Sequence, residues 1–175
     1  CVQSVDLAGR TSAWVASAAT VTIDTTNPTA PTGVTVPSYT NTTSAAITFT
    51  AGTDTNITTS NLKMCTGNDC STGCVGATTG NTVTSISGLT NGTAYYGCVQ
   101  SRDLATNTSA WVASAATVTV DTTAPTISSI GPAANSYRNN TQVSYTIDEN
   151  CAAGAGSYVR WTHSGGSADG SSPKQ

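Results

Sequence analysis

The chain has few charged residues and no long apolar run. Only 9% of its 175 residues are charged, the net charge is -3, and Lys or Arg never occur side by side. Nucleic acids and anionic membranes attract proteins through clustered basic residues. A helix that crosses a bilayer needs about 20 apolar residues, and the apolar stretches here are only a few residues long. We therefore expect no nucleic-acid partner and no membrane insertion.

Residues that usually carry catalysis are also scarce. His163 is the only histidine, and it lies in a strand-like run. No Ser, Cys or carboxylate pair stands in a spacing that predicts an activated nucleophile or a general acid and base. We therefore expect that the chain is not an enzyme. Residues 1–4 lack the basic and apolar regions of a signal peptide, so any export signal is expected upstream of Cys1.

The residues that are abundant favour strands. About one residue in five is Thr, whereas Phe and Met occur once each. Thr and Val are branched at Cβ, which suits a pleated sheet better than a helix. No segment shows the i, i+3, i+4, i+7 apolar spacing of an amphipathic helix. The composition predicts an all-β protein.

An internal repeat organises the chain. Residues 1–28 match residues 98–125 at 23 of 28 positions, an offset of 97 residues. Self-similarity at a fixed period indicates a tandem array. We therefore predict three segments: the C-terminal strands of one module in residues 1–29, a complete module in residues 30–125, and the N-terminal part of a third module in residues 126–175.

The complete module contains seven short strand-like segments bounded by turn residues. In the second of them, Ile47 and Phe49 alternate with polar neighbours, and in the last, Val118 and Val120 share a face. Seven strands in about 95 residues predict a sandwich of two antiparallel sheets. The predicted segments are residues 32–36, 45–50, 62–65, 75–78, 82–86, 94–100 and 115–120.

The motif LTNGTAYYGCV at residues 89–99, with the opening APTGV at residues 30–34, resembles the fibronectin type III domain. The resemblance implies that Tyr95 is the tyrosine-corner residue, that Val99 points into the core, and that Phe49 replaces the usual core Trp. Residues 126–175 are more similar to a bacterial immunoglobulin-like repeat of large surface proteins. This second likeness is carried by the alternation of Val143, Tyr145 and Ile147, followed by Val159 and Trp161.

The complete module contains four cysteines: Cys65, Cys70, Cys74 and Cys98. An even number in a small β domain favours disulfides, and four cysteines allow three pairings. The topology of the fibronectin type III family implies Cys65 with Cys98, which leaves Cys70 with Cys74. A zinc site of four thiolates is the alternative, although no cysteine pair has the two-residue spacing of a zinc knuckle. Cys1 repeats Cys98, and Cys151 has no evident partner.

Two further residue types are candidates for a site. Acidic side chains at module junctions can bind Ca²⁺, which makes Asp103 and Asp121 candidate ligands, although a turn role for Asp103 and a strand-end role for Asp121 are the simpler interpretation. No other cofactor is expected. Trp14 and Trp111 occupy equivalent places in the repeat, and we expect each to pack over its own sheet rather than to bind sugars.

Modules joined by short, Pro-containing linkers form a semi-rigid rod. We therefore expect a stalk segment of a large secreted or cell-surface bacterial protein of the adhesin type, whose partners are the neighbouring modules. Two alternatives stay open. In the first alternative, the chain is the subunit of an extracellular filament in which identical chains complete each other's sheets. In the second, it is a spacer in a secreted polysaccharide-degrading enzyme. The sequence does not point to a ligand.

Overall fold

The prediction of an all-β protein is confirmed. A computed structural model describes residues 1–82, 84–133 and 142–148, and every regular element among them is a strand. Cys151, Val159, Trp161 and His163 lie outside the described residues. The chain divides into two compact units, Cys1–Thr122 and Thr123–Gln175. In the part of the chain that is described, no helix has the length and apolar character needed to cross a membrane.

Among its described residues, the first unit contains nine strands in two sheets. One sheet has the order β1-β3-β6, and the other has the order β2-β9-β7-β4-β5, with β8 also paired to β7. All pairings are antiparallel except that of β2 with β9. The strands are β1 (Thr32–Thr35), β2 (Tyr39–Thr40), β3 (Ser44–Thr50), β4 (Ile57–Cys65), β5 (Val75–Gly80), β6 (Thr84–Ser87), β7 (Ala94–Asp103), β8 (Val112–Ala113) and β9 (Val118–Val120).

The two sheets face each other across one hydrophobic core. Both sheets contribute alternate side chains to it, as a sandwich requires. The core contains four of the residues that the sequence suggested, Phe49, Tyr95, Val99 and Val118, all of which are buried. Its other buried members are Val34, Ala45, Ile47, Leu62, Met64, Ile86, Leu89 and Val120.

Tyr95 also ties the turn before β7 to the strand itself. Its hydroxyl accepts a hydrogen bond from the backbone N–H of Thr90 at 3.3 Å. This is the contact that a tyrosine corner makes, from a strand back to the backbone a few residues upstream. The turn at residues 90–93 is closed further by the bond from Thr93 N to Thr90 O.

Apart from shifts of up to three residues at strand ends, the structure differs from the predicted strands in two respects. It contains two additional short strands, β2 and β8, each of only two residues, which is too short for an alternation pattern to be visible. Strand β4 begins at Ile57 rather than at Leu62, because its pairing with β7 continues as far as Asp103. That extension depends on a partner about 40 residues away, so the local sequence of residues 57–61 did not indicate it.

Residues 2–15 form a hairpin with the register of their copy at residues 99–112. Val2 pairs with Val15, and Val5 pairs with Thr11. Adding the repeat offset of 97 residues to these positions gives the pairs Val99 with Val112 and Arg102 with Thr108, which the second copy forms. The same hairpin thus forms twice, once within the sandwich and once outside its core.

The segment that joins this hairpin to β1, residues 24–29, lies closely against the sandwich. Thr29 N donates to Thr53 O at 3.1 Å, and Thr53 N donates to the Thr29 hydroxyl at 2.7 Å. At Gly52 an added Cβ would lie only 1.8 Å from the carbonyl oxygen of Thr29. A side chain at position 52 would therefore separate this linker from the sandwich.

Within the second unit, the described residues form one strand pair. β10 (Ile127–Gly131) and β11 (Ser144–Ile147) are antiparallel, with Ile127 opposite Ile147. Thr126 precedes β10 and donates through its backbone N–H and its hydroxyl to the Asp148 carboxylate. These two bonds hold the pKa of Asp148 below its usual value, with the hydroxyl contributing more than the backbone N–H.

Candidate functional site

The four cysteines of the sandwich form two disulfides, but the expected pairing is wrong. Cys65 is bonded to Cys74 and Cys70 to Cys98, with Cα separations of 4.0 Å and 5.7 Å. The four thiols are therefore not available for the zinc site that we considered. Cys1, the copy of Cys98, is an exposed free cysteine.

The register of β4 and β7 explains this pairing. Lys63 lies opposite Cys98, and Cys65 lies opposite Tyr96. Cys65 and Cys98 thus share the outer face of the sheet but are diagonal neighbours, which are typically about 7–8 Å apart. That separation exceeds the usual Cα range of a disulfide. Residues 66–74, the disulfide loop, instead fold over this face and bring Cys70 to Cys98.

Asp69 organises the disulfide loop. Its Oδ1 accepts bonds from the backbone N–H groups of Ser71 and Thr72, and its Oδ2 accepts bonds from both hydroxyls. These bonds, led by the Ser71 hydroxyl, hold the pKa of Asp69 far below its usual value. An ionised Asp69 therefore holds residues 69–72 in a turn within the disulfide loop.

Trp111 lies outside the main core, in a second cluster on the outer face of the sheet. It packs with Cys74 and Ala113 against the buried cluster of Cys65, Cys70 and Cys98. The Nζ of Lys63 lies 4.0 Å from the centroid of its ring, a cation–π contact. Trp111 therefore does pack over its own sheet, on the outer face. Its copy Trp14 is 65% exposed, so the same expectation does not hold there.

Three carboxylates from separate parts of the first unit converge where the linker meets the sandwich. Asp24, Asp54 and Asp103 each place one carboxylate oxygen within 4.8 Å of the other two. Asp24 belongs to the linker, Asp54 to the turn between β3 and β4, and Asp103 to the end of β7. We call these three residues the acid cluster. Grouped carboxylates of this kind can hold a divalent cation.

The carboxylates of the acid cluster are held in place by hydrogen bonds from neighbouring groups. Asn107 donates to Asp103 from its backbone N–H and from its side-chain amide, both at 2.8 Å, and that amide also reaches the carbonyl oxygen of Asp24 at 3.1 Å. Asp24 further accepts from Thr26 N at 3.0 Å. Asp54 accepts from Thr55 N through Oδ1, whereas its Oδ2 is buried and has no hydrogen-bond partner.

This arrangement differs from the calcium site considered from the sequence. Asp103 belongs to it, but Asp121 does not, within the residues that the structure describes. The position equivalent to Asp121 is supplied instead by its copy one repeat earlier, Asp24. Asp54 was not considered. The only sequence signal for it was an acidic residue in the turn-rich stretch AGTDTN at residues 51–56. Acidic residues are common in turns that form no binding site.

Comparisons with known proteins identify no family for this chain. No protein-family model matches it, and no curated protein is similar to it in sequence. Its functional assignment therefore depends on the geometry described above.

Proposed function

We propose that the chain is a structural segment of an extracellular stalk built from consecutive sandwich modules. The observation that carries this proposal is that residues 1–28 repeat residues 98–125 and form the same hairpin, followed by a linker that docks on the next sandwich. A repeated hairpin and a docked linker are what a rod of modules with restricted junctions requires.

The order of the strands supports a fibronectin type III-like module. The adjacency of β4 and β7 in one sheet and the bond from Thr90 N to the Tyr95 hydroxyl are features that the sequence resemblance implies. Fold alone does not specify a function. We propose the family on these features together with the motif at residues 89–99.

The disulfides bear on where the protein acts. Cys65–Cys74 and Cys70–Cys98 brace one face of the sandwich, and structural disulfides of this kind indicate an oxidising environment. Secretion or display at a cell surface is the proposal that follows. It also agrees with a surface whose polarity comes mainly from hydroxyl and amide groups rather than from charges.

A filament subunit is the second candidate, and the first copy of the repeat, residues 1–23, favours it. Val2, Val21 and Ile23 are exposed there, whereas their copies Val99, Val118 and Val120 are buried. An apolar hairpin face and an open strand edge invite completion by other strands. In a stalk those strands belong to the same polypeptide, and in a filament they belong to another copy of this chain.

The covalent mass of the native material separates the two candidates. Denatured and reduced native protein should run well above the 17.5 kDa of this chain if it is a stalk segment. A reduced mass close to 17.5 kDa, in material that forms fibres before denaturation, would contradict the stalk and support the filament. As a second measurement, light scattering of the isolated chain should show no growth in mass with concentration for a stalk segment, and growth for a filament subunit.

A further inference from the structure

We propose that the acid cluster, Asp24, Asp54 and Asp103, is a calcium site that fastens the linker to the sandwich. Ca²⁺ binding itself does not depend on the proposed stalk, although a fastened linker would stiffen one. Three features of the molecule point to this site: the positions of the three carboxylates, their lack of compensating charge, and the cation held by the equivalent turn in the first copy of the repeat.

The spacing of the carboxylates fits a single ion. Ca²⁺ binds oxygens at about 2.3–2.6 Å, so two oxygens on one ion are at most about 5 Å apart. The three carboxylate oxygens lie within 4.8 Å of one another. The Asp24 carbonyl oxygen lies beside them, where it accepts from the Asn107 Nδ2, and carbonyl oxygens are ligands that Ca²⁺ accepts.

The negative charge of the cluster is not compensated by a protein cation. In the residues that the structure describes, none of the three carboxylates forms an ion pair with Lys or Arg. Asp103 is 2% exposed, and the Oδ2 of Asp54 is buried without a hydrogen-bond partner. A buried carboxylate oxygen without a donor is unfavourable, and a bound cation would remove that penalty.

In the first copy of the repeat, the guanidinium of Arg10 occupies the equivalent place. Asp6, the copy of Asp103, accepts bonds from the backbone N–H of Arg10 at 2.9 Å and from its Nε at 2.8 Å. In the second copy Asn107 replaces Arg10, so the guanidinium is lost and two further carboxylates approach. This turn therefore takes a positive charge in one copy, and in the other it provides three carboxylates for an ion from solution.

An ion at this position would join segments that are far apart in sequence. Asp24 lies in the linker, 30 residues before Asp54 and 79 residues before Asp103. The linker is already held by the bonds of Thr29 to Thr53 and of Asn107 to Asp24. Calcium would add a bond from the linker to both loops and reduce the freedom of the hairpin relative to the sandwich.

The test is calcium binding by the full chain after removal of divalent ions with a chelator. Isothermal titration with CaCl₂ should give one site, with a dissociation constant of about 0.1–1 mM as in other extracellular modules. Thermal unfolding in 10 mM CaCl₂ should shift upward by about 5 °C relative to chelator. The same titration with MgCl₂ should give a much weaker response, since Mg²⁺ demands a stricter octahedral geometry.

Two variants of the site should lose calcium binding while remaining folded. D54N removes the charge of the carboxylate with the unpartnered oxygen, and N107R introduces the arginine found in the first copy. Both should reduce calcium affinity at least tenfold and also raise the unfolding temperature of the calcium-free chain, because each lowers the repulsion among the carboxylates. A loss of calcium response without loss of stability separates a binding role from a merely structural one.

D6N is the matched control, because Asp6 is the copy of Asp103 but already pairs with Arg10. It should bind calcium like the unaltered chain. The proposal is overturned if the unaltered chain gives neither heat nor a thermal shift, or if D54N and N107R bind as well as D6N does. An equal response to Mg²⁺ would overturn the assignment of calcium.

Discussion

Residues 1–23 and 98–120 have almost the same sequence, and residues 2–15 and 99–112 within them form the same hairpin, yet the first copy is exposed and the second lies at the centre of a core. Val2, Val21 and Ile23 are 74%, 84% and 81% exposed, whereas Val99, Val118 and Val120 are each 0% exposed. The backbone bonds coincide as well. Ser12 N donates to Ser4 O at 2.9 Å, and in the second copy Ser109 N donates to Ser101 O at 3.0 Å.

The difference between the two copies separates local from tertiary effects. In both, an aspartate begins the turn, a residue of positive φ follows three positions later, and a Ser hydroxyl accepts from a backbone N–H of the partner strand. These interactions lie within about ten residues and need no core. Burial requires β3, β4 and β6, which only the second copy contacts. The following predictions test how far this separation holds.

The largest expected effect comes from placing a charge at the same position in each copy. V99D should destabilise the sandwich by more than about 4 kcal/mol, because it buries an unpaired carboxylate. V2D should change the free energy of unfolding by less than about 0.5 kcal/mol. Urea unfolding of the full chain, followed by circular dichroism, measures both. A large loss in V2D would show that the first hairpin is also buried, as a filament would require.

The disulfides should have the next largest effect. Loop-closure entropy predicts that C70S with C98S lowers the free energy of unfolding by about 3–4 kcal/mol, and that C65S with C74S lowers it by about 2–3 kcal/mol, since the loops span 28 and 9 residues. C1S, at the copy of Cys98, should have no effect on stability. Peptide mapping without reduction should recover the pairs that the structure shows, and a Cys65–Cys98 peptide would contradict it.

A smaller effect is expected at the turn. Thr106 has φ 74° and Gly9, its copy, has φ 80°, a region in which a β-branched residue is strained. T106G should therefore stabilise the sandwich by about 0.5–1 kcal/mol in the same unfolding experiment. T108G, two residues away and without a positive φ, is the control and should destabilise it. Stabilisation by both variants would show that the backbone strain is not the cause.

The smallest effect is expected when the exposed turn of the first copy loses the ionised form of Asp6 at low pH. The backbone N–H and the side chain of Arg10 hold the pKa of Asp6 below its usual value of 3.8. The stabilising contribution of Asp6 is thus complete above pH 3.8 and disappears as the pH falls through the lower folded value. The amide resonances of Ala8 and Arg10 should titrate with a midpoint below 3.8, and R10N should raise that midpoint. A midpoint at or above 3.8 in the unaltered chain would contradict the contact.

The acid cluster and the disulfide pairs were beyond sequence reasoning for a common reason. The residues that meet are between 9 and 79 positions apart, and their approach depends on how two loops fold over a sheet. A diagonal offset between Cys65 and Cys98 cannot be read from the spacing of cysteines, because it depends on the register of β4 with β7. Asp54 has no distinguishing neighbour in sequence, and only the docked linker brings Asp24 to it.

The sequence alone determined the all-β class, the repeat of 97 residues, most of the strands of the sandwich, and the core positions Phe49 and Val118, whereas Tyr95 and Val99 were implied by the family resemblance of residues 89–99. Side-chain alternation and turn residues act over a few positions, which is why these features are visible locally. Only the tertiary structure decided which copy of the hairpin is buried, which cysteines are paired, and which carboxylates converge. Each of these depends on contacts between distant segments, and nearly identical local sequences are compatible with either outcome.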